Sequence, residues 1–431
     1  MKTRNLTMNF GKRLIGIYRY RPLGTNVKSL TTTSRVFSEL PQPEYDINYL
    51  CNVSNKEIIS ENINRRKGIG NINQVHELLS NSASKDLLNV ELEKIPNKTD
   101  PTVLQYGNEA HVLNTCGSMP SFNFKPKEFE DIAKNLKLIR TENLGNLSGS
   151  RSYMLLGHLA DLEEALIFYT IHKLINRNFQ LISVPDILPT AVIERCGMII
   201  GNERTQVYSL DHVHGPDLSL SGTAEMSIAG KLARARLSLD QLPLKYAAVS
   251  RCYRAEASSI SEERGIYRVH QFTKVEMFIC CQPHQSCDIL NELKSIEEDL
   301  FINLGLHFKV LDMPPHELGA PAYRKFDIEG WMPGRQQFGE LSSCSNCTDY
   351  QSRRLDIKYE TERNELEHVH TLNGTACAIP RMLIALCETH QTKDGDIRVP
   401  EKLLAYMRGK TIIQKQRLAG MRYVKHKPKI N

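Results

Sequence analysis

Three observations in the amino-acid sequence predict an α+β fold on a mainly antiparallel sheet. The strand-like runs 245–249, 273–280 and 338–342 do not alternate with helices in the regular manner of parallel βαβ units. Leu159, Leu162, Leu166 and Tyr169, with Ala165 and Phe168, form one apolar helical face ending near Arg177. That helix leads into residues 179–185, a strand closed by Pro185.

The 431 residues, 41% hydrophobic and 24% charged, suffice for a large core divided among two or three domains. No stretch approaches the roughly 18 uncharged apolar residues of a membrane-spanning helix, so no membrane partner is expected. The net charge of +6 conceals an asymmetry: residues 1–35 and 408–431 each carry eight Lys or Arg and no acid, leaving the chain between them ten charges negative. Basic ends on an acidic body argue for specific basic appendages rather than a broad nucleic-acid surface.

Residues 1–38 are basic, rich in Ser and Thr, lack an apolar secretory block, and meet their first acid only at Glu39. They read as a mitochondrial transit peptide, which places the protein in the mitochondrial matrix. The eleven cysteines are then reduced thiols. Cys344-Ser-Asn-Cys347 is a lone CxxC with no second pair, read as structural rather than as a zinc site.

Residues 45–96 form a short helical region. A helical patch at 56–67 meets Gly68 and Gly70, two short stretches follow near 73–81 and 85–95, and Pro96 closes the region. Residues 97–149, with Pro101, Pro120 and Pro126, read as a linker carrying one helix near 127–138. Longer elements occupy 150–407, and 408–431 form a basic tail.

Arginines and carboxylates cluster three times in the long domain. Tyr253-Arg254-Ala-Glu256 and Arg268-Val-His270-Gln-Phe272-Thr-Lys274-Val-Glu276 flank a polar loop, so two strands could hold an anion beside an ammonium group. Phe338-Gly-Glu340-Leu341-Ser342-Ser343 leads through Asp349 to Arg353 and Arg354. Asn373-Gly-Thr375 precedes Pro380-Arg381 at the start of the apolar helix 382–388, where backbone N–H groups already favour phosphate. No Walker loop or GxGxxG is present, so a nucleotide must be held by side chains on a sheet.

These segments resemble the seryl-tRNA synthetases, class II aminoacyl-tRNA synthetases, and their wording is most similar to the animal mitochondrial type. The resemblance runs from about residue 95 to 407 and rests on Ser221-Gly-Thr223-Ala224-Glu225, 252–276 (motif 2), 317–334, 339–354 and 370–388 (motif 3). It implies a class II catalytic domain, an antiparallel sheet flanked by helices, preceded by a short helical tRNA-binding arm. It further implies that Thr223, Ala224, Glu225, Glu276, Asn373 and Thr375 bind serine. ATP would be held by Arg254, Glu256, Arg268, Phe272, Glu340, Leu341, Ser342, Ser343 and Arg381, and Mg²⁺ by Glu340 and Ser343. Arg254 and Arg381 would be catalytic, the activity being serine–tRNA ligation through seryl-adenylate. The implied partners are serine, tRNA(Ser) and a second subunit, identical or a related synthetase chain, meeting at motif 1, which is the helix and strand ending at Pro185.

Two features depart from the family pattern. Ala376-Cys-Ala378-Ile-Pro380 stands where motif 3 usually has glycines, and the long helical arm is nearly absent, since helices of ten residues reach only about 15 Å. The alternative implied by the truncated arm is a noncatalytic seryl-tRNA synthetase-like protein, as in insect mitochondria, that binds tRNA(Ser) or a true synthetase as a structural or regulatory partner.

Overall fold

The computed structural model describes residues 40–81, 84–141, 149, 151–198, 200, 205–215, 217–256 and 265–416. The expected transit peptide, the centre of the motif 2 loop and residues 417–431 of the expected tail lie outside them.

Among the described residues the largest sheet has eight strands: β1 (His111–Cys116), β2 (Gln180–Ile182), β3 (Leu244–Tyr253), β4 (Gln271–Cys281), β5 (Phe308–Asp312), β6 (Arg324–Met332), β7 (Gln337–Asn346) and β8 (His370–Ala378). They lie in the order β1-β5-β6-β7-β8-β4-β3-β2. All neighbours are antiparallel except β2, which runs parallel to β3 at the edge. The fold class is therefore the expected one. β4 is buried nearly throughout, which suits its run of Val275, Met277, Phe278 and Ile279 in mid-sheet.

In chain order the principal helices are α1 (Lys56–Arg65), α2 (Ile72–Ser80), α3 (Lys85–Glu93), α4 (Phe129–Asn135), α5 (His158–Ile175), α6 (Ala224–Lys231), α7 (Ser286–Ile302), α8 (Tyr350–Leu355) and α9 (Ile379–Thr389). Helices α5, α7 and α9 share one hydrophobic core with the central strands, through Leu162 and Leu166, Leu293 and Ile296, and Leu383 and Ile384. The apolar stripe of α5 is buried as expected save for Phe168, which is 52% exposed. One helical step is about 100°, so Phe168 sits far round the axis from Leu166 and turns outward.

Helices α1, α2 and α3 have 10, 9 and 9 residues. They close on a small core of Tyr45, Ile59, Ile63, Ile72, Val75, Leu92 and Ile95. Asn71 caps α2 by accepting from the backbone N–H of Asn73 and Gln74, and Ser84 caps α3 through that of Leu87. Buried Arg66 fastens this unit to the rest by donating to the carbonyls of Asn97 and Gly319.

Two expected boundaries move. Segment 97–149, read as a linker, supplies the edge strand β1 paired with β5, and its helix α4 puts Phe129, Ile132 and Ala133 into the main core. Its prolines and asparagines hid these few apolar positions. The fold also runs on past 407: Ile412–Ile413 pairs with Ile397–Arg398, Ile413 is fully buried, and Gln416 accepts from the backbone N–H of His158 at 3.0 Å. The first residues of the expected basic tail are thus part of the folded unit.

Candidate active site

The cavity opens on the face of β4, β7 and β8 opposite the helical core. Side chains alternate along β4, so Phe272, Lys274 and Glu276 all point into it. Thr375 of β8 sits opposite Glu276, and a bulge between Thr375 and Cys377 re-aims the strand there.

At one end lie two carboxylates. Glu276 is buried and pairs with Lys274 at 2.6 Å, while the Thr375 hydroxyl donates to Glu276 at 3.1 Å and Lys274 donates to that hydroxyl at 3.3 Å. Burial raises the Glu276 carboxyl above its usual range, against the pull of the Lys274 ammonium. Glu225 lies in the first turn of α6, which Thr223 caps through the Glu225 backbone N–H. Its carboxylate accepts from the side-chain amides of Gln351 at 2.6 Å and Asn373 at 2.9 Å. Burial, added to by the charge of Glu276, pushes Glu225 up to about 7, with the two amides and Lys274 opposing. This pair of acceptors, with Lys274 bonded to Glu276, is suited to receive an ammonium and a hydroxyl.

The other end is arginine-rich. Arg381, in the first turn of α9 beside Pro380, bonds the Glu340 carboxylate at 3.1 Å and the Glu340 carbonyl at 3.1 Å, and its guanidinium lies over the Tyr267 ring at 4.6 Å. Burial opposes the Glu340 charge, yet Arg381 and then Lys325 pull that carboxyl down to about 2. Arg268 pairs with Glu256 at 3.0 Å, and Arg254 lies over the Phe272 ring at 5.4 Å. Three guanidiniums, one at a helix N-terminus, have the charge and donors that a polyphosphate would need, and the Phe272 ring lies beside them.

Every site residue expected from the sequence lines this one cavity except Ala224. The Ala224 methyl is buried in the core beneath α6, because the helix turns it away from its neighbours Thr223 and Glu225. Tyr267, Val269, Lys274, Ala378 and Pro380 line the cavity and were not singled out. The period-2 spacing of Lys274 from Phe272 and Glu276 was a usable signal for it. Tyr267 lies in the irregular stretch before β4, where no periodicity applies.

A sheet of this order, with Arg254 and Arg268 in the connection between β3 and β4 and Arg381 at the start of the helix after β8, defines a class II aminoacyl-tRNA synthetase core. Residues 208–390 match the family model of the tRNA synthetase class II core domain (G, H, P, S and T). The chain is 48% identical over 318 residues to the mitochondrial serine–tRNA ligase of Bos taurus, covering 73% of this chain and 61% of that protein. It is 40% identical to the serine–tRNA ligase of Treponema denticola, covering 74% of this chain and 76% of that protein. The seryl-tRNA synthetase of Pyrococcus horikoshii, solved with ATP, superposes with a TM-score of 0.73 at 30% identity, covering 86% of this chain and 90% of that one. The chain belongs to the seryl-tRNA synthetase family. It spans only about three-fifths of the length of its bovine relative.

Proposed function

We propose that this protein is a mitochondrial serine–tRNA ligase: it activates serine with ATP to seryl-adenylate and transfers the seryl group to the 3′ end of tRNA(Ser). The observation that carries this reading is the single cavity in which the pair Glu225 and Glu276 faces Arg254, Arg268 and Arg381. The serine ammonium meets Glu225 and Thr223. The hydroxyl meets Glu276 and Thr375, so alanine would leave a buried acceptor unpaired. A serine carboxylate oxygen then attacks the α-phosphorus of ATP, and the bond from phosphorus to the pyrophosphate oxygen breaks. Arg254 balances charge at the attacked phosphate and Arg381 balances it on the departing pyrophosphate. No general base is needed, because the nucleophile is already ionised.

Glu340 and Ser343 offer hard oxygen donors, and Glu340 is ionised at neutral pH. These two residues fit Mg²⁺ and would hold it, and the ion would then supply positive charge against the phosphates. The bovine relative is named mitochondrial, which with the basic N-terminus supports the matrix as the location. Labelled serine appearing on mitochondrial tRNA(Ser) is the expected result; a protein that binds this tRNA without charging it would favour the noncatalytic alternative.

The carboxyl of Glu225 has its folded value near 7, so its ionised fraction rises from pH 6 to 8. The KM for serine is expected to fall over that interval by about tenfold in all, most of it below pH 7. A flat profile would remove Glu225 from the ammonium site.

Phe168 and Ile175 on α5, with Leu181 on the edge strand β2, are exposed large apolar residues on the motif 1 elements. They support a dimer, with an identical or a related subunit. Helices α1, α2 and α3 are too short to reach far along a tRNA, so basic residues beyond 416 take part. Residues 417–431 carry five Lys or Arg and no acid. Removing them is expected to weaken tRNA binding and to flatten its dependence on salt, by roughly 0.9 in log–log slope for each phosphate the tail neutralises. Truncation here spares Ile413 and Gln416, and an unchanged slope would show that the tail does not touch the tRNA.

A further inference from the structure

Glu297 of α7 has 0% exposure beneath β7 and β8, behind the cavity rather than in it. Ser342 and Cys344 of β7 are the polar side chains beside it, and its Oε1 lies 3.0 Å from where a side chain on Gly374 would begin. Among the described residues, no donor reaches either carboxyl oxygen at hydrogen-bond geometry. An ionised carboxylate in this place would be buried bare, which is far costlier than a neutral acid. Burial does push the group well above the ordinary carboxylate range, with Ser342 and Cys344 opposing.

A neutral acid has a proton to give, and the neighbouring hydroxyl is ready to accept it. The Ser342 hydroxyl already donates to the Thr375 carbonyl, which leaves only its lone pairs free. That carbonyl lies at the bulge of β8, and the Thr375 hydroxyl lies 3.1 Å from Glu276.

We infer that Glu297 is a positioning residue for serine recognition: as the neutral acid it donates to the Ser342 hydroxyl, which donates to the Thr375 carbonyl, and this relay fixes the bulge that aims Thr375 and Glu276 at the substrate hydroxyl. The inference rests on the reading of the cavity as a serine site. The role of Glu297 is that of a donor, so glutamine can replace it and an apolar side chain cannot.

The test is serine-dependent pyrophosphate exchange by the full chain and by Glu297→Gln and Glu297→Leu. The glutamine variant is expected to keep its KM for serine within about twofold of wild type, because an amide N–H supplies the same hydrogen bond. The leucine variant is expected to raise the KM for serine about tenfold, leave the KM for ATP unchanged and discriminate less well against alanine. If the leucine variant does not fold, Glu297→Met, an unbranched apolar side chain of similar length outside the cavity lining, removes the donor and carries the same serine-specific signature. A wild-type KM for serine in whichever apolar variant folds would overturn the inference, and so would a glutamine variant as impaired as leucine. Wild-type protein that neither binds nor activates serine would overturn the pocket reading itself, and is told apart because it needs no variant.

Discussion

Replacing Arg381 by alanine is expected to reduce serine-dependent adenylate formation by a factor on the order of a hundred to a thousand, which is the loss of one preorganised charge donor, about 3 to 4 kcal/mol. The guanidinium is held in a fixed attitude by the Glu340 carboxylate, the carbonyls of Glu340 and Tyr267, and the Tyr267 ring. It is therefore in place before ATP arrives and needs no reorganisation in the transition state. Arg381→Lys keeps a charge but loses the fork that bonds carboxylate and carbonyl together, so it should recover only part of the rate. Exchange rates measured beside the protein's molar mass and melting temperature separate this loss from unfolding or dissociation. Normal exchange by the alanine variant would remove Arg381 from the reaction.

Glu225→Gln carries the second large effect, and it has two faces. Loss of the negative charge opposite the serine ammonium should raise the KM for serine on the order of a hundredfold, as for a buried charge-assisted bond. The same change should stabilise the empty protein at alkaline pH. In the fold the Glu225 carboxyl is raised from 4.5 to about 7 by burial and by Glu276. A carboxyl raised in this way contributes stability that is complete below about pH 4.5 and disappears as pH rises through 7. Glutamine escapes that loss while its carbonyl still accepts from Gln351 and Asn373. The melting temperature of the variant should exceed that of wild type by an amount that grows from pH 5 to pH 8. A difference that stays constant or shrinks across that range would mean that Glu225 is already ionised without strain.

The large sheet was legible because its segments are local and strongly patterned. Residues 272–276 alternate, Pro380 and Arg381 open a helix, and the family resemblance joins these separated stretches into one site. What the sequence concealed was tertiary in origin. Segment 97–149 reads as a connector from its prolines, yet a few apolar residues suffice for an edge strand and for α4, because the sheet and core they join are built by other parts of the chain. The buried position of Ile413 follows from its pairing with Ile397–Arg398, not from its basic surroundings. Glu297 shares the apolar face of α7 with Leu293, Ile296 and Leu300, but in a helix that also carries the half-buried acids Glu292, Glu298 and Asp299 that spacing alone does not show a fully buried carboxyl. Ala224 went the other way: it stands between two true lining residues, and helical geometry alone turns its methyl into the core.

The motif 3 departure also has a physical reading. Ala376 and Cys377 are buried on the core side, and of the run Ala378 and Pro380 line the cavity, Ala378 standing at the end of β8. A methyl at that one place is a smaller obstacle to a nucleotide than the loss of several glycines suggests.

The most direct test of the account is serine-dependent exchange of labelled pyrophosphate into ATP by the purified chain from residue 40 onward, with alanine and threonine in parallel. Exchange with serine, and far weaker exchange with the other two, is the predicted result. A folded protein that binds ATP and shows no exchange with serine would contradict it, and would make the chain a noncatalytic member of its family.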